Sequence, residues 1–227
     1  MGHRPSQWKI LARRAYCDRV ELTTVRAVLF DMDGTIVDSD AAVERAWTTW
    51  ATEHAVEPAD ALAIAHGSPA ERTVARLLPA LTPAQVQVAA ARQLALQYDD
   101  LSDVRALPGA PALLADLDAW SLPWAVVTSA DVRLAKARLG AAGINPRVVI
   151  TVEDVSAGKP DPEGYRLAAE RVGVEPAHCL VVEDAEVGLI AGRAAGARTA
   201  ALRGLPGDLS IADLNQLRTL LASVHSR

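Results

Sequence analysis

The apolar run Ala27-Val28-Leu29-Phe30 ends abruptly in Asp31-Met32-Asp33-Gly34-Thr35, two carboxylates two positions apart and then a glycine. A strand of this kind delivers acid groups to its carboxyl edge, and in an open α/β sheet ligands bind in the crevice outside those edges. Strand alternation puts Asp31 and Asp33 on one side, provided the chain stays extended through Met32. Adjacent carboxylates repel unless a cation or a shared proton relieves them. The pair therefore implies a metal ion, a split between nucleophile and acid, or both. The plainer alternative is a strand end followed by an Asp-Gly turn.

Further short apolar runs bounded by turn residues occur at 123–128, 147–152, 179–183 and 198–202. Between the later ones lie alanine-rich stretches that read as helices over 131–142, 161–173 and 186–196, with Gly143, Gly173 and Gly196 near their carboxyl ends. A last helix is expected from Ile211 to Val224. This alternation predicts an α/β fold whose core is a Rossmann-like parallel sheet covered by helices. From Asp38 to Leu107 the rhythm breaks: the segment reads as helices over 41–54, 58–66, 69–78 and 83–99 without a convincing strand. We read it as an inserted all-helical cap, with Leu107-Pro108-Gly109-Ala110-Pro111 as the hinge on its return. The expected division is an N-terminal extension over 1–24, a Rossmann-like catalytic core over 25–38 and 108–227, and a helical cap domain over 39–107. Trp47 and Trp50, three positions apart, are expected to anchor the interior of the cap.

With 227 residues, half of them hydrophobic and 22% charged, the chain is long enough for one large domain and a smaller insert. A net charge of -5 offers no basic footprint for nucleic acid, and no apolar run approaches the length of a bilayer span. A cytoplasmic protein acting on a small molecule is the expectation, with neither nucleic acid nor membrane as partner. The first 24 residues carry Arg4, Lys9, Arg13, Arg14 and Arg19, but no apolar core of the secretory kind follows them. They read as a dispensable extension, a short surface helix or the product of a misplaced start codon. Cys17 and Cys179 are too isolated for a disulfide framework or a zinc site, and Cys179, within an apolar run, is expected in the core.

Three other strand ends carry chemistry. Trp124-Ala125-Val126-Val127 leads into Thr128-Ser129, whose hydroxyl and amides suit phosphate oxygens, although Thr-Ser also caps helices. Lys159, one of three lysines, stands in Gly158-Lys159-Pro160-Asp161-Pro162, where two prolines fix a loop that offers a positive charge to an anion. Val181-Val182-Glu183-Asp184 repeats the opening pattern and supplies hard oxygen ligands of the kind magnesium prefers.

Through these four segments, in this order, the chain resembles the haloacid dehalogenase superfamily of phosphohydrolases over about residues 26–203. Within it, Val37-Asp38-Ser39-Asp40, the helical insert, Ala65-His66-Gly67 and Leu107-Pro108-Gly109-Ala110 look like the bacterial sugar-phosphate and polyol-phosphate phosphatases. Ala185 departs from the serine many relatives carry after the acidic pair, without touching the ligands.

The resemblance implies that Asp31 attacks phosphorus and forms an aspartyl-phosphate, while Asp33 protonates the leaving group and later deprotonates water. Magnesium is the implied cofactor. It is held by Asp31 and Asp184, by Asp33 through its main-chain carbonyl, and by Glu183 unless that residue instead orients Lys159 or a metal-bound water. Thr128 and Lys159 stabilise the transferring phosphoryl group, and Gly34, Thr35, Ser129, Ala130 and the cap residue His66 bind substrate. A surface or helix-end position for His66 stands equally open. The implied partner is a small phosphorylated metabolite and the expected state a monomer, with a weak homodimer as alternative.

Rivals are a β-phosphoglucomutase-like mutase, a phosphoglycolate phosphatase, and a non-enzymatic phosphate-binding protein. His66 stands where the mutase has a lysine before glycine, Ala70 where it has an arginine, and residues 38–108 contain no lysine. These departures also tell against a phosphonatase. Asp33, the acid two residues after the nucleophile, tells against a haloacid dehalogenase proper.

Overall fold

Ala27 and Leu29 of β1 (Ala27–Phe30) pack to one side of the sheet and Val28 and Phe30 to the other, and all four are fully buried. A strand covered by helices on both faces must read this way, as an unbroken apolar run. The structure, a computed structural model, describes residues 22–65, 68–99 and 101–225. The other strands of this sheet are β4 (Trp124–Val127), β5 (Val149–Ile150), β6 (Cys179–Glu183), β7 (Arg198–Ala201) and β8 (Leu209–Ser210). The order is β5-β4-β1-β6-β7-β8, every pairing parallel, which puts β1 inside the sheet.

One face is covered by α5 (Ala110–Ala119), α6 (Val132–Ala141) and α9 (Leu214–His225). Their Leu113, Leu117, Leu134, Leu139, Leu217 and Leu221 join Val28 and Phe30 in the larger core. The opposite face is covered by α7 (Glu163–Val172) and α8 (Glu186–Ala195), whose Ala168, Ala169 and Ala191 lie against Leu29 and Val181. The buried Cys179 belongs to that second core.

Between β2 (Val37–Asp38) and β3 (Arg105–Ala106) run α1 (Asp40–Glu53), α2 (Pro58–Ala65), α3 (Ala70–Leu77) and α4 (Pro83–Asp99). Their limits lie within a residue or so of the expected helices. They enclose a core of their own around Trp50. Trp47 and Trp50 meet edge to face at 5.3 Å, and Trp50 Nε1 donates to the Ala89 carbonyl at 2.8 Å. Of the described helices, none is long and apolar enough to cross a membrane.

Several expectations need correction. The segment 38–107 does contain a strand: β3 pairs antiparallel with β2, and Arg105 bridges Asp38 at 2.9 Å. Two residues per strand are too few for a periodic signal. For the same reason β8 escapes the sequence pattern. Pro111, read as part of a hinge, sits in the first turn of α5, where a missing N–H costs nothing. The last helix starts at Leu214, three residues later than expected. The extension, including Cys17, falls almost wholly outside the described residues, as does His66.

Trp50 is fully buried, so truncating it opens a cavity that its small neighbours Ala51, Ala61 and Ala90 cannot fill. Trp50→Ala is expected to cost about 3–5 kcal/mol, read as a lower midpoint in urea unfolding followed by fluorescence. A loss below about 1 kcal/mol would show that this packing is unimportant.

Candidate active site

The chain leaves β1 toward β4 and β5 on one side and places β6, β7 and β8 on the other, so β1 marks the switch point of the sheet. At such a point the loops diverge and open a crevice at the carboxyl ends of the strands. Asp31 follows β1, Thr128 follows β4, and Glu183 and Asp184 end β6; these three strands are neighbours. Lys159 reaches the same place from the loop between β5 and α7.

The chain does not stay extended after Asp31. It bends at Met32, whose carbonyl accepts from the amides of Ile36 and Val37 at 3.0 and 2.9 Å, while the Gly34 amide donates to the Val37 carbonyl. Gly34 has φ +78°, and a Cβ there would lie 2.1 Å from Asp184 Oδ2, so both conformation and contact require glycine. The bend corrects the alternation expected for the two aspartates: their carboxylates take different partners.

Asp31 lies with Glu183 and Asp184 in a buried cluster whose oxygens come within 4.8 Å of one another. Lys159 Nζ enters this cluster, donating to Asp31 Oδ1 at 2.5 Å, Glu183 Oε1 at 2.7 Å and the Val127 carbonyl at 3.0 Å. Burial, followed by the charge of Glu183, pushes the Asp31 carboxyl well above its usual range against the pull of Lys159. Burial and Glu183 also raise Asp184, to about 6, although Arg203 and Lys159 oppose the rise. Burial acts to lower the Lys159 pKa, but Asp31 and Glu183 outweigh it and hold the ammonium above its ordinary value. Glu183 is otherwise engaged: Tyr165 donates to Oε1 at 2.6 Å and the Ala185 amide to Oε2 at 3.3 Å. Gly188 of α8 makes room for it, since a Cβ there would lie 1.7 Å from Glu183 Oε1.

Asp33 stands apart from that cluster. Arg138 Nη1 approaches its Oδ1 at 2.8 Å and the Ser39 hydroxyl donates to the same oxygen at 2.6 Å. Asp31, Asp33, Thr128, Ser129 and Ala130 all line one cavity beneath α1 and α4. Thr128 Oγ1 accepts from the Ala130 amide at 3.0 Å, which leaves its hydroxyl proton for another acceptor. Gly34 and Thr35 do not line this cavity. The Thr35 hydroxyl is buried 3.5 Å from Asp184 Oδ1, so the bend spends it on the acidic cluster.

Sequence reasoning missed Ser39, Gln93, Gln97, Arg138, Tyr165 and Arg203. Arg203 binds Asp184 Oδ2 at 2.8 Å and also Asp40. Arg138 carried a readable signal: Leu134, Ala135 and Leu139 form the buried stripe of α6, and an arginine on that stripe needs a partner.

The donor set Asp31, Glu183 and Asp184 is all carboxylate oxygen, buried, and short of positive charge. It fits a divalent cation of the hard type.

A family model of haloacid dehalogenase-like hydrolases matches residues 25–196. Hexitol phosphatase A of Escherichia coli (strain K12) is 39% identical over 200 residues, covering 88% of this chain and 91% of that protein. The 2-deoxyglucose-6-phosphate phosphatase 1 of Saccharomyces cerevisiae is 36% identical over 189 residues, 75% of this chain and 77% of that one. The β-phosphoglucomutase of Clostridium difficile superposes with a TM-score of 0.77 at 18% identity, over 89% of this chain and all of that one, a likeness of fold.

Two predictions follow from the charge balance. Removing Lys159 leaves buried carboxylates unpaired, so Lys159→Met is expected to destabilise the metal-free protein by about 3–5 kcal/mol at pH 7.5. The deficit shrinks toward pH 5, where those carboxyls take up protons, as urea unfolding at both pH values would show. Asp184 sets the second. Its pKa is raised from 3.8 to about 6, so between these values the folded protein holds a proton that the unfolded chain has released. That contribution to stability is present at low pH and lost as the pH rises through about 6. A divalent cation competes with the proton, so its gain in melting temperature is expected to be larger at pH 7.5 than at pH 5. Equal gains would place the cation elsewhere.

Proposed function

The chain belongs to the haloacid dehalogenase-like hydrolases, as a phosphatase, and from that premise we propose that it is a magnesium-dependent phosphomonoesterase of small sugar or polyol phosphates. The observation that carries this reading is the separation of two carboxylates two residues apart. Asp31 is held by Lys159 among the buried acids, and Asp33 is held by Arg138 and Ser39 at the wall of the cavity. That separation supports Asp31 as the attacking group and Asp33 as the one that exchanges a proton.

Asp31 attacks phosphorus, and an aspartyl-phosphate forms as the ester P–O bond breaks. Asp33 gives its proton to the departing alkoxide, then takes one from the water that attacks the intermediate and releases phosphate and Asp31. Lys159, the Thr128 hydroxyl and nearby amides stabilise the phosphoryl oxygens. Asp31, Asp184 and the Asp33 main-chain carbonyl would hold magnesium. Glu183, with both oxygens engaged, orients Lys159. When bound, the ion reduces repulsion between the nucleophile and the phosphate. Residues 39–107 act as the cap that covers the cavity.

A mutase reading finds less support. The described residues that line the cavity from α1 to α4 include no lysine or arginine to retain a bound phosphorylated intermediate. Phosphoglycolate is disfavoured for a related reason. The one cation among the described lining residues, Arg138, is paired with Asp33 and has little charge left for a carboxylate.

Phosphate release with magnesium is expected from hexose, deoxyhexose or hexitol phosphates, to vanish with chelator and in Asp31→Asn, and to drop about 10²- to 10⁴-fold in Asp33→Asn. Isomerised sugar phosphate without release would make the protein a mutase, and ligand-dependent stabilisation without turnover a binding protein.

A further inference from the structure

A line of buried side chains leads from Asp33 into α4. Arg138 gives Nη1 to Asp33 and donates from Nη2 to Gln97 Oε1 at 2.7 Å, and Gln97 Nε2 donates to Gln93 Oε1 at 2.6 Å. The order of donors and acceptors is forced. A guanidinium has only donors, so Gln97 must turn its carbonyl toward Arg138. Its amide nitrogen then faces Gln93, which must answer with its own carbonyl. The line can therefore end only in a donor, Gln93 Nε2.

That atom and Arg138 Nε are buried and lack a hydrogen-bond partner among the described residues. Gln93 is 0% exposed and Arg138 2%. Unpartnered buried donors are uncommon and costly, and they call for an acceptor supplied from elsewhere. Both side chains line the cavity that holds Asp31 and Asp33. Val43, Trp47 and Leu94 line it as well and offer apolar surface suited to C–H groups.

We propose that Gln93 and Arg138 select the leaving group: Gln93 Nε2 and Arg138 Nε donate to hydroxyl oxygens of a neutral, polyhydroxylated carbon chain. This rests on the phosphatase reading and names the determinant of its specificity. With Arg138 Nη1 already engaged by Asp33, Nε is left for a neutral oxygen, an acceptor that adds no further charge to the cavity. Because Arg138 also holds Asp33, a hydroxyl bound there keeps the ester oxygen close to the group that protonates it.

The test compares a hexitol monophosphate with hexyl phosphate, a chain of equal length without hydroxyls, in the magnesium-loaded protein. The wild type is expected to favour the hexitol ester at least about tenfold in kcat/KM, and Gln93→Met, which removes the donor Nε2 together with the acceptor of Gln97 Nε2 at similar volume, to lose about tenfold on that ester. On hexyl phosphate, which shares only the loss transmitted through Gln97 and Arg138 to Asp33, the variant is expected to lose less, so that the preference for the hexitol ester collapses. No wild-type preference, or an equal loss on both esters, overturns the subsite and leaves the phosphatase reading standing. Absence of release from every ester overturns the phosphatase reading instead. Calorimetric titration of Asp31→Asn with the two esters then decides the subsite without turnover: a tenfold preference supports it and equal affinity overturns it. Should Gln93→Met fail to fold, Gln93→Leu and the same titration serve in its place.

Discussion

Lys159 carries a positive charge into a nearly closed position, and the acidic edge of the sheet depends on it. Three carboxylates, from Asp31, Glu183 and Asp184, bring oxygens to within 4.8 Å of one another. Without an internal cation their repulsion would drive them to take up protons. The ammonium is tolerated in turn because every direction open to it ends in an oxygen, from Asp31, Glu183 or the Val127 carbonyl. Tyr165 adds its hydroxyl to Glu183 from the first turn of α7, so a helix that covers one face of the sheet also braces the charge network at its edge. Buried pairs of this kind add little net stability. What they supply is position: the Asp31 carboxylate is held in place by the buried ammonium.

A second constraint joins the helical layer to the sheet. The joint is polar. Gln97 and Tyr98 of α4 meet Arg138 and Asp131 at α6, Arg203 spans Asp184 and Asp40, and Arg72 of α3 donates to the Lys159 carbonyl. Of these residues Asp40, Gln97 and Arg138 line the cavity, and the contacts reach Asp184 and Lys159 at the acidic edge. The placement of α1 to α4 and the orientation of Asp33 and Lys159 are therefore linked. Apolar packing is kept instead inside each layer, around Trp50 in one and on the two faces of β1 in the other.

Legibility in the sequence followed the range of the interaction. The strands β1, β4 and β6 and the helices α1 to α4 were readable because runs of apolar residues and their periods are local. The ribbon of Val37–Asp38 and Arg105–Ala106 was not, since its two halves find each other only across the whole insert. Pro111 misled because a proline opens helices as readily as it breaks them. At the site, Asp31, Asp33, Thr128, Lys159, Glu183 and Asp184 announced themselves as polar residues at strand ends or in a rigid loop. Gln93 and Gln97 did not, because glutamines four apart on a helix look like a solvated face until another element covers them.

The sequence by itself determined a parallel α/β sheet, an inserted group of helices, and a set of acids, a hydroxyl and a lysine at one edge. These follow from local pattern and from where strands stop. The tertiary structure alone decided which partner each charge took: Asp31 with Lys159, 128 positions away, Asp33 with Arg138, and Asp184 with Arg203. The bend at Met32 sends adjacent carboxylates to different neighbours, and those neighbours arrive on separate strands, loops and helices that meet only when the sheet has closed.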